Sequence, residues 1–511
     1  MRELLISNRE LAQKLDQLEA RLEKKLAHHS GWAATAPLTP RRVTKAAARL
    51  SCIARDKSKK EDSAMGRKNN QGLSRRDFIK LTGPSALALG AASGPFFLFP
   101  ERAAAQQKTL KILQWSHFVP AYDTWFDGTF CRDWGQKHNT NVTVDHINLV
   151  DLPAKAASEA SARRGHDLVM LLSPPAAYEK QTIDMTQVYQ EVEKRHGKKI
   201  DLAHRSTYNP KTRRYFAFSD SYVPDPGNWH KDWWAEAGFP NGPDTYEELR
   251  VGAKKIRDTT GHPCGLGLSQ ELDSSMAMRA LLWSFGGAEQ DEAGNVTINS
   301  KNTIEALKYM KALYQESETP EVFTWTQPSN NQAMLAGRVS YVANAISITR
   351  QAEREHLPIE SKIMVSRALR GPVRRIAAEH VMDCYVIWDF AENKDGAQQF
   401  LIDYIDAFHD GFAAGQFYNF PCFPHTVPDL NKEIANDPRA TPPDKYQVLG
   451  DVLDWATNVG YPGYASAAID EAFKGWVIPT MFAKVARGDE TPEDAAQAAE
   501  DEYKRIFARW K

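Results

Sequence analysis

Short apolar runs alternate with longer helical stretches along most of the chain. Runs at residues 110–115, 142–147 and 167–172 predict three strands. The stretches between them, 122–138 and 153–164, are predicted to be helices; the first is rich in aromatic residues and the second in alanine. This order predicts an α/β architecture built from βαβ units with right-handed crossovers.

The order of the predicted strands also indicates where a ligand would bind. Ligands of parallel α/β sheets contact the loops at the carboxyl ends of the strands. Here those loops are 116–118, after the first predicted strand, and 173–175, after the third. We therefore expect functional side chains in these two loops.

The composition is that of an ordinary globular protein. Its 511 residues suffice for two or three domains, and 42% of them are hydrophobic and 25% charged. Residues 1–106 contain 20 basic and 10 acidic side chains, whereas the rest of the chain contains 44 and 55. The main body is therefore acidic, which argues against a nucleic-acid partner.

One segment in the first quarter of the chain has the features of an export signal. Arg75 and Arg76 precede a weakly apolar stretch that ends in three alanines. The stretch is too short and too rich in Gly, Ser and Pro for a membrane span, which needs about 20 apolar residues. We expect a twin-arginine signal peptide at 65–105, cleaved after Ala105, which makes the twin-arginine translocase a partner during export and the periplasm the destination. The alternative is a buried apolar helix that follows a chance arginine pair.

Residues 1–64 are unusual, because export signals are read close to the N-terminus. Four leucines between residues 11 and 22 form a short heptad pattern, which would suit a small coiled-coil module. However, Met65 and the basic residues after it would make a normal start for the signal. We therefore expect 1–64 to be a non-structured extension or a mis-called start.

Several motifs of the main body carry a resemblance to a known family. In chain order they are YFAFSDSYVP at 215–224, WHKDWW at 229–234, AGFP at 237–240, PDTYEEL at 243–249, NNQAMLAGRV at 330–339 and RGDETPEDA at 487–495. Their order and spacing resemble those of the family 1 extracellular solute-binding proteins, the periplasmic receptors of ABC importers. The resemblance covers roughly residues 108–511.

The resemblance implies an α/β fold of the type II periplasmic-binding-protein class, with two lobes, a ligand cleft between them and a hinge of crossing segments. The implied divisions are lobe 1 at 106–220 and 366–405, lobe 2 at 221–365, and C-terminal helices that pack across both lobes at 406–511. The crossings would lie near 220–222 and 364–366.

A carbohydrate ligand requires aromatic faces that stack on its C–H surfaces and carboxylates or amides that bind its hydroxyls. The predicted loops and the resemblance together suggest these ligand-binding residues: Trp115, His117, Tyr122, Ser173, Tyr222, Asp225, Glu271, Asp273, Trp325, Asn330, Asn344 and Tyr464. Asn344 stands where related receptors often have a stacking tryptophan, so Trp325, Asn330 or Tyr464 would supply what Asn344 lacks. Core packing of the aromatic residues and helix capping by the acidic ones are the alternatives.

The expected function is that of a non-enzymatic, monomeric receptor that delivers a carbohydrate, either a sugar or a polyol, to an ABC permease. The sequence has no Gly-x-Ser-x-Gly, Ser-x-x-Lys, His-Glu-x-x-His, P-loop or Gly-x-Gly-x-x-Gly motif, so no catalytic residue and no cofactor are expected. The alternatives are a periplasmic glycoside-processing enzyme, which needs two carboxylates across the sugar, and a receptor for a polyamine or an organic anion.

No metal site is expected either. His380 and Cys384 have the spacing of one helical face, but the residues after them predict a strand. Cysteine spacing shows no metal-ligand pattern, and it leaves open whether Cys131, Cys264, Cys384 and Cys422 form disulfides.

Overall fold

The computed structural model describes residues 107–511 of the 511-residue chain. The expected extension at 1–64 and the expected signal at 65–105, with Arg75, Arg76 and the cleavage position after Ala105, lie outside the described residues. Among residues 107–511, no helix is both long enough and apolar enough to cross a membrane.

The strands of the described residues are short and are distributed over the whole length. They are β1 (Lys108–Trp115), β2 (Thr140–Ile147), β3 (Leu168–Leu171), β4 (Tyr208–Asn209), β5 (Arg214–Tyr215), β6 (Phe218–Val223), β7 (Gly227–His230), β8 (Tyr341–Ala343), β9 (Ile363–Ser366), β10 (Ala377–Ala378), β11 (Val381–Ile387), β12 (Phe420–Pro421) and β13 (Ala456–Thr457). The three strands predicted from the first apolar runs are confirmed as β1, β2 and β3.

A six-stranded mixed sheet forms the centre of the first lobe, in the order β12-β6-β11-β3-β1-β2. Strand β1 pairs in parallel with both β2 and β3, as the predicted βαβ units require. Strand β11 is antiparallel to β3 and β6, and β12 is antiparallel to β6. β3, β6 and β11 are buried along their whole length, since helices cover both faces of this part of the sheet.

A three-stranded antiparallel sheet, in the order β8-β7-β9, belongs to the second lobe. The chain leaves the first sheet after Val223 and enters the second at Gly227, so the link between the sheets is 224–226. Residues 220–222, where we expected this crossing, are still part of β6. The return runs from the end of β9 at Ser366 to the start of β11 at Val381 and includes β10, which pairs with β13.

Helices make up most of the remaining chain. The α-helices are α1 (Pro120–Trp125), α2 (Arg132–Lys137), α3 (Leu152–Ala162), α4 (Thr186–His196), α5 (Asp201–Thr207), α6 (Lys231–Glu236), α7 (Tyr246–Thr260), α8 (Leu272–Ser284), α9 (Lys301–Ser317), α10 (Ser329–Leu335), α11 (Ser347–Arg354), α12 (Lys394–Asp406), α13 (Phe408–Ala414), α14 (Leu430–Ile434), α15 (Ala467–Lys474), α16 (Val477–Arg487) and α17 (Pro492–Arg509). A π-helical segment, Phe126–Cys131, joins α1 to α2. Short 3₁₀ helices lie at Ala176–Gln181, Pro320–Phe323, Pro424–Thr426, Gln447–Leu449 and Val452–Asp454.

Side-chain caps define the starts of helices α7 and α8. Helix α7 begins with a capping box, in which Thr245 and Glu248 each accept the backbone N–H of the other. Glu271 is the N-cap of helix α8, and its carboxylate accepts the N–H groups of Asp273 and Ser274. Such caps satisfy backbone donors that have no partner within the helix, and they hold the residues of the first turn in place.

The C-terminal part of the chain contacts both lobes. Helix α15 packs on the 3₁₀ helix Ala176–Gln181 of the first lobe, and α16 packs on α8 and α9 of the second. The turn between α15 and α16 contains Trp476, whose backbone has φ of 55°. This turn therefore lies where the two lobes face each other. The division of the chain into lobes by residue number stays a prediction.

Candidate functional site

A cavity of about 340 Å³ lies between the loops of the two lobes. One wall comes from the loops that follow β2 and β3, the opposite wall from the start of α8 and the segment before α10, and the third from the turn between α15 and α16. Twelve of its eighteen lining side chains are apolar or aromatic: Leu149, Val150, Leu152, Pro153, Leu171, Leu172, Pro175, Tyr178, Leu272, Trp325, Phe473 and Trp476. The loop after β3, one of the two loops in which functional side chains are expected, lines this cavity, and its contact with a ligand stays a prediction.

The polar side chains of this cavity are few, and its charged ones have partners. The six polar lining residues are Ser173, Gln270, Glu271, Thr326, Gln327 and Lys474. The Nζ atom of Lys474 lies 2.7 Å from a carboxylate oxygen of Asp470 and 4.9 Å from the ring centre of Tyr178. A ligand in the cavity would therefore meet mainly aromatic rings and uncharged hydrogen-bonding groups, and not unpaired charges.

Glu271 serves as the N-cap of α8 while it lines the cavity. Its Oε2 accepts the N–H of Asp273 at 2.8 Å and its Oε1 accepts the N–H of Ser274 at 2.5 Å. Burial, and then the charge of Asp273, raise the pKa of Glu271 to about 8. At neutral pH this side chain is therefore mainly protonated, and it adds little negative charge to the cavity.

A second, much narrower gap of about 10 Å³ adjoins the cavity and shares Leu149, Leu172, Leu272 and Gln327 with it. Trp115 and Phe118 of the first lobe form one side of this gap. The other side is polar and contains Asp273, Asn331, Asn344, Ser347 and His380. A water molecule needs at least about 10–15 Å³, so these walls are close to contact.

His380 joins the link between the sheets to the start of α8. Its Nδ1 lies 3.0 Å from Oδ1 of Asp225, which belongs to the link, and its Nε2 lies 3.3 Å from Oδ1 of Asp273. All three residues are buried. Burial alone would lower the pKa of His380, but the hydrogen bonds and charges of the two aspartates outweigh it and raise the pKa to about 10. At neutral pH the imidazolium is therefore charged between two carboxylates.

A chain of amide side chains continues from Asp273 across the second lobe. Asn330 donates to Oδ2 of Asp273 at 2.7 Å, and Asn344 donates to Oδ1 of Asn330 at 3.0 Å. Asn344 also donates to Oδ1 of Asn331 at 2.6 Å, and Asn331 donates to Oγ of Ser347 at 3.1 Å. These residues, with Asp225 and His380, are called the polar network below. It places amide, hydroxyl and carboxylate groups at the base of the cleft.

The structure brings eight of the twelve predicted site residues to this region. Ser173, Glu271 and Trp325 line the cavity, and Trp115, Asp273 and Asn344 line the narrow gap. Asp225 and Asn330 lie behind them as members of the polar network. The expected stacking tryptophan is absent at 344, where the amide of Asn344 belongs to the network instead, and Trp325 supplies a ring on the same side of the cavity.

Four predicted residues line neither space. His117 is buried, with Nε2 2.8 Å from Oδ1 of Asn419, and its pKa is lowered by burial to about 4. The hydroxyl of Tyr122 lies 2.8 Å from that of Tyr404 within the first lobe.

Tyr222 and Tyr464 also lie elsewhere. The ring of Tyr222 packs in the first sheet beside Phe420, with ring centres 6.0 Å apart. The hydroxyl of Tyr464 lies 3.4 Å from Nε2 of His204, and its carbonyl accepts a bond from Gln290. His117, Tyr122, Tyr222 and Tyr464 thus make packing and hydrogen-bond contacts within the protein, as the alternative of a structural role predicts.

Sequence reasoning missed several lining residues. Tyr178 follows the expected loop after β3, so a wider window on that loop would have included it. Phe473 and Trp476 come from the C-terminal segment, which the sequence places only as helices that pack on the lobes. The sequence suggests a role for His380 only as a metal ligand beside Cys384, and not as a member of the cleft. Among residues 107–511, no three His, Cys, Asp or Glu side chains are grouped in a way that could hold a metal ion.

The cysteines of the described residues are buried and not bonded to one another. They are Cys131, Cys264, Cys384 and Cys422. Burial raises the pKa of each thiol, so each stays protonated at neutral pH.

Comparison with known proteins places the sequence in a family. The sequence pattern of the bacterial extracellular solute-binding proteins matches residues 130–441, which is more than half of the chain. A protein of Brucella abortus that is named as a binding protein is 24% identical over 175 residues. That match covers 34% of this chain and 42% of the Brucella protein, so the chain spans less than half the length of this relative.

Solved structures share the fold at low sequence identity. A solute-binding protein of an ABC transporter from Thermotoga lettingae, bound with α-D-tagatose, has a TM-score of 0.64 and 18% identity, covering 78% of this chain and 99% of its own. The maltose-bound MalE3 of T. maritima has a TM-score of 0.64, 19% identity and the same coverage. A solute-binding protein from Agrobacterium radiobacter in complex with ribitol has a TM-score of 0.62 and 17% identity, with 78% and 99% covered.

These neighbours confirm the expected fold class, in which two α/β lobes enclose a cleft. They are too distant in sequence to transfer a ligand. The family match, by contrast, includes the whole second sheet, every strand of the first sheet except β1, and most of the cleft residues. The chain belongs to the bacterial extracellular solute-binding protein family.

Proposed function

We propose that the protein is a periplasmic receptor that captures a carbohydrate, either a sugar or a polyol, and delivers it to the permease of an ABC importer. The observation that carries this proposal is the juxtaposition of aromatic rings and the polar network in one cleft between the lobes. Membership of the solute-binding family supports it, as do structural neighbours that were solved with tagatose, maltose and ribitol. Export by the twin-arginine route and action as a monomer are parts of the same proposal.

The proposed ligand contacts follow the two compartments of the cleft. Ring faces of Tyr178, Trp325 and Trp476 would pack on the C–H surfaces of the solute. Side chains of the polar network would exchange hydrogen bonds with its hydroxyls, with Asn344 and Asn331 in contact and His380 holding Asp273 in position. The amides can both donate and accept, which suits hydroxyl groups.

Capture would require the lobes to move. The narrow gap of about 10 Å³ admits a hydroxyl only when its two sides separate. The links at 224–226 and 367–380 are the segments where the backbone would rotate. Closure then removes water from the hydroxyl-to-amide bonds, which strengthens them, and docking on the permease would favour the open state and so release the solute.

The arrangement of acidic groups favours a receptor over a glycoside-processing enzyme. Such enzymes place two carboxyl groups about 5–10 Å apart across the sugar. The cavity lining contains one carboxyl side chain, that of Glu271, and both of its oxygens accept backbone N–H groups. Asp273 is hydrogen bonded to His380 and Asn330. Neither group is placed as a free acid or base.

A thermal-shift screen tests the proposal. The purified protein is mixed with sugars, oligosaccharides, polyols, polyamines and organic acids, and any hit is checked for unchanged ligand. With a Kd of about 1 μM, ligand at 100 μM would stabilise the folded protein by about 2.7 kcal/mol. Stabilisation by a carbohydrate that is recovered intact supports the receptor. Consumption of the sugar would instead indicate an enzyme, and stabilisation only by a polyamine or an acid would contradict the carbohydrate assignment.

A further inference from the structure

The larger cavity is unsuited to a bare sugar ring. Twelve of its eighteen lining side chains are apolar, and eight of these are aliphatic rather than aromatic. A sugar ring carries hydroxyls around its edge, and each hydroxyl that is buried without a partner costs about 1–3 kcal/mol or more. Aromatic faces can cover the C–H surface of a sugar, but aliphatic walls cannot bind its rim of hydroxyls.

The acidic and the basic lining residue, Glu271 and Lys474, are also engaged by the protein itself. Both carboxyl oxygens of Glu271 accept N–H groups of α8, and Lys474 is paired with Asp470 at 2.7 Å. An ionic ligand would have to displace these partners. The body of the ligand that fills this cavity is therefore uncharged and largely apolar.

The narrow gap is mixed, since six of its twelve lining side chains are polar and six are apolar or aromatic. Asp273, Asn331, Asn344, Ser347 and His380 line one of its sides. It meets the cavity at Leu149, Leu172, Leu272 and Gln327, which line both spaces. A single ligand could thus extend from one compartment into the other, with hydroxyls at the polar end and an apolar group at the other.

The outer edge of the cleft also carries apolar side chains. Val150 lines the cavity and is 64% exposed, and Phe118 lines the gap and is 40% exposed, although most large apolar side chains among residues 107–511 are buried. Single exposed apolar residues are common on protein surfaces, so these two matter only because they extend the apolar lining of the cavity and the gap out to solvent.

We propose that the solute is a neutral glycoside whose sugar binds the polar network and whose aromatic or branched aliphatic aglycone fills the 340 Å³ cavity. This inference rests on the proposed function, because it takes the carbohydrate as the polar end of the ligand. It narrows the solute to an amphipathic molecule, and it disfavours polyols and free monosaccharides.

Matched ligands test the inference by isothermal titration calorimetry. Glucose, galactose, mannose and xylose are each titrated as the methyl and the phenyl glycoside, with 2-phenylethanol as an aromatic alcohol that lacks a sugar. For at least one sugar, the phenyl glycoside should bind about tenfold or more tightly than the methyl glycoside. The aromatic alcohol should bind at least about tenfold more weakly than that phenyl glycoside.

Two exposed valines provide the matched variants. Val150→Asp places a charge at the mouth of the cavity, and Val251→Asp places the same charge on α7, outside the cavity lining. Both positions are half-exposed or more, at 64% and 50%, so both variants should fold. Val150→Asp should lower the preference for the phenyl over the methyl glycoside by about fivefold, and Val251→Asp should leave it unchanged.

The outcomes separate this inference from the proposed function. Equal affinity for methyl and phenyl glycosides would overturn the apolar-aglycone inference and leave the carbohydrate receptor standing. Equal affinity for the aromatic alcohol and the phenyl glycoside would overturn the carbohydrate end of the ligand. If no glycoside binds but the thermal-shift screen yields an oligosaccharide or a polyol as ligand, this inference fails alone. If neither experiment yields a carbohydrate ligand, the proposed function fails and this inference fails with it.

Discussion

Replacing His380 with glutamine tests whether a charged imidazole holds the base of the cleft together. His380 lies between Asp225 and Asp273, and all three are buried. Glutamine can still donate a hydrogen bond, but it carries no positive charge. The variant therefore leaves two buried carboxylates without the cation that now separates them.

The expected loss of stability is large at low pH. The pKa of His380 is raised from 6.5 to about 10. At about 1.4 kcal/mol per unit, this corresponds to roughly 5 kcal/mol, in line with the 3–5 kcal/mol that breaking a buried ion pair costs. Because the folded-state pKa is the higher one, this stabilisation is complete below pH 6.5 and is lost as the pH rises through about 10.

Urea unfolding at pH 6, 8 and 10 measures this dependence. The difference in free energy of unfolding between the wild type and His380→Gln should be about 3–5 kcal/mol at pH 6 and should fall towards zero at pH 10. His409→Gln is the control, because His409 is exposed and its bond to Glu433, at 3.0 Å, lies at the surface. The control should change stability by about 1 kcal/mol or less.

Two results would refute the reasoning. A loss for His380→Gln below about 1 kcal/mol at pH 6 would mean that the imidazole does not hold the two carboxylates together. A large loss that is the same at pH 6 and pH 10 would mean that the side chain matters for its shape and not for its charge.

Three further variants test other parts of the structure. Trp325→Ala should weaken solute binding by about tenfold or more in calorimetry, because the ring lines the cavity, and unchanged affinity would argue against this placement. The pKa of Glu271 in the folded protein is about 8, above its ordinary value of 4.5, so ionisation of this side chain destabilises the fold as the pH rises from 4.5 through 8. Between pH 5 and 9 the melting temperature of Glu271→Gln should therefore fall less than that of the wild type. Equal falls in the two proteins would contradict the raised pKa. Alanine favours helices more than glycine does, but the Cβ added by Gly252→Ala would overlap the ring of Trp234. The variant should therefore be less stable than the wild type by about 1–3 kcal/mol in urea unfolding. A more stable variant would show that the ring can move.

The first three strands could be predicted from the sequence because their signal is local. Each is a short apolar run, and each pair is separated by a helix long enough for a parallel crossover. The link between the sheets was predicted a few residues early, within 220–222. Strand β6 extends to Val223 because β11 and β12 pair with it, and those partners lie some 160 and 200 residues further along the chain.

The loops contribute residues of the candidate site that the sequence can suggest, and whether those residues contact a ligand stays a prediction. Ser173 is predicted because it follows a strand, and Asp273 because the family resemblance implies ligand contacts in the loop at 269–275. The partners of Asp273 have no such local signal, since His380 and Asn330 are brought to it only by the packing of the link at 367–380 and of α10.

The third wall of the cavity had no recognisable sequence signal. Phe473 lies in the amphipathic helix α15 and Trp476 lies just after it. Aromatic residues at such positions usually belong to a core. Tyr122 shows the reverse case, because it follows a strand end as a ligand contact would, yet it packs inside the first lobe against Tyr404. Periodicity identifies which face of an element is apolar, but not whether that face meets a core or a ligand.

The most direct test of the account is to fill the cavity and measure the Kd of the best carbohydrate ligand by calorimetry. Ser173→Trp places a large ring in the cavity, and Ser161→Trp places the same ring on an exposed position of α3. If the solute binds between the lobes, Ser173→Trp should weaken binding by about a hundredfold, and Ser161→Trp should leave it unchanged. Unchanged affinity in the folded Ser173→Trp protein would contradict the claim that this cleft is the binding site.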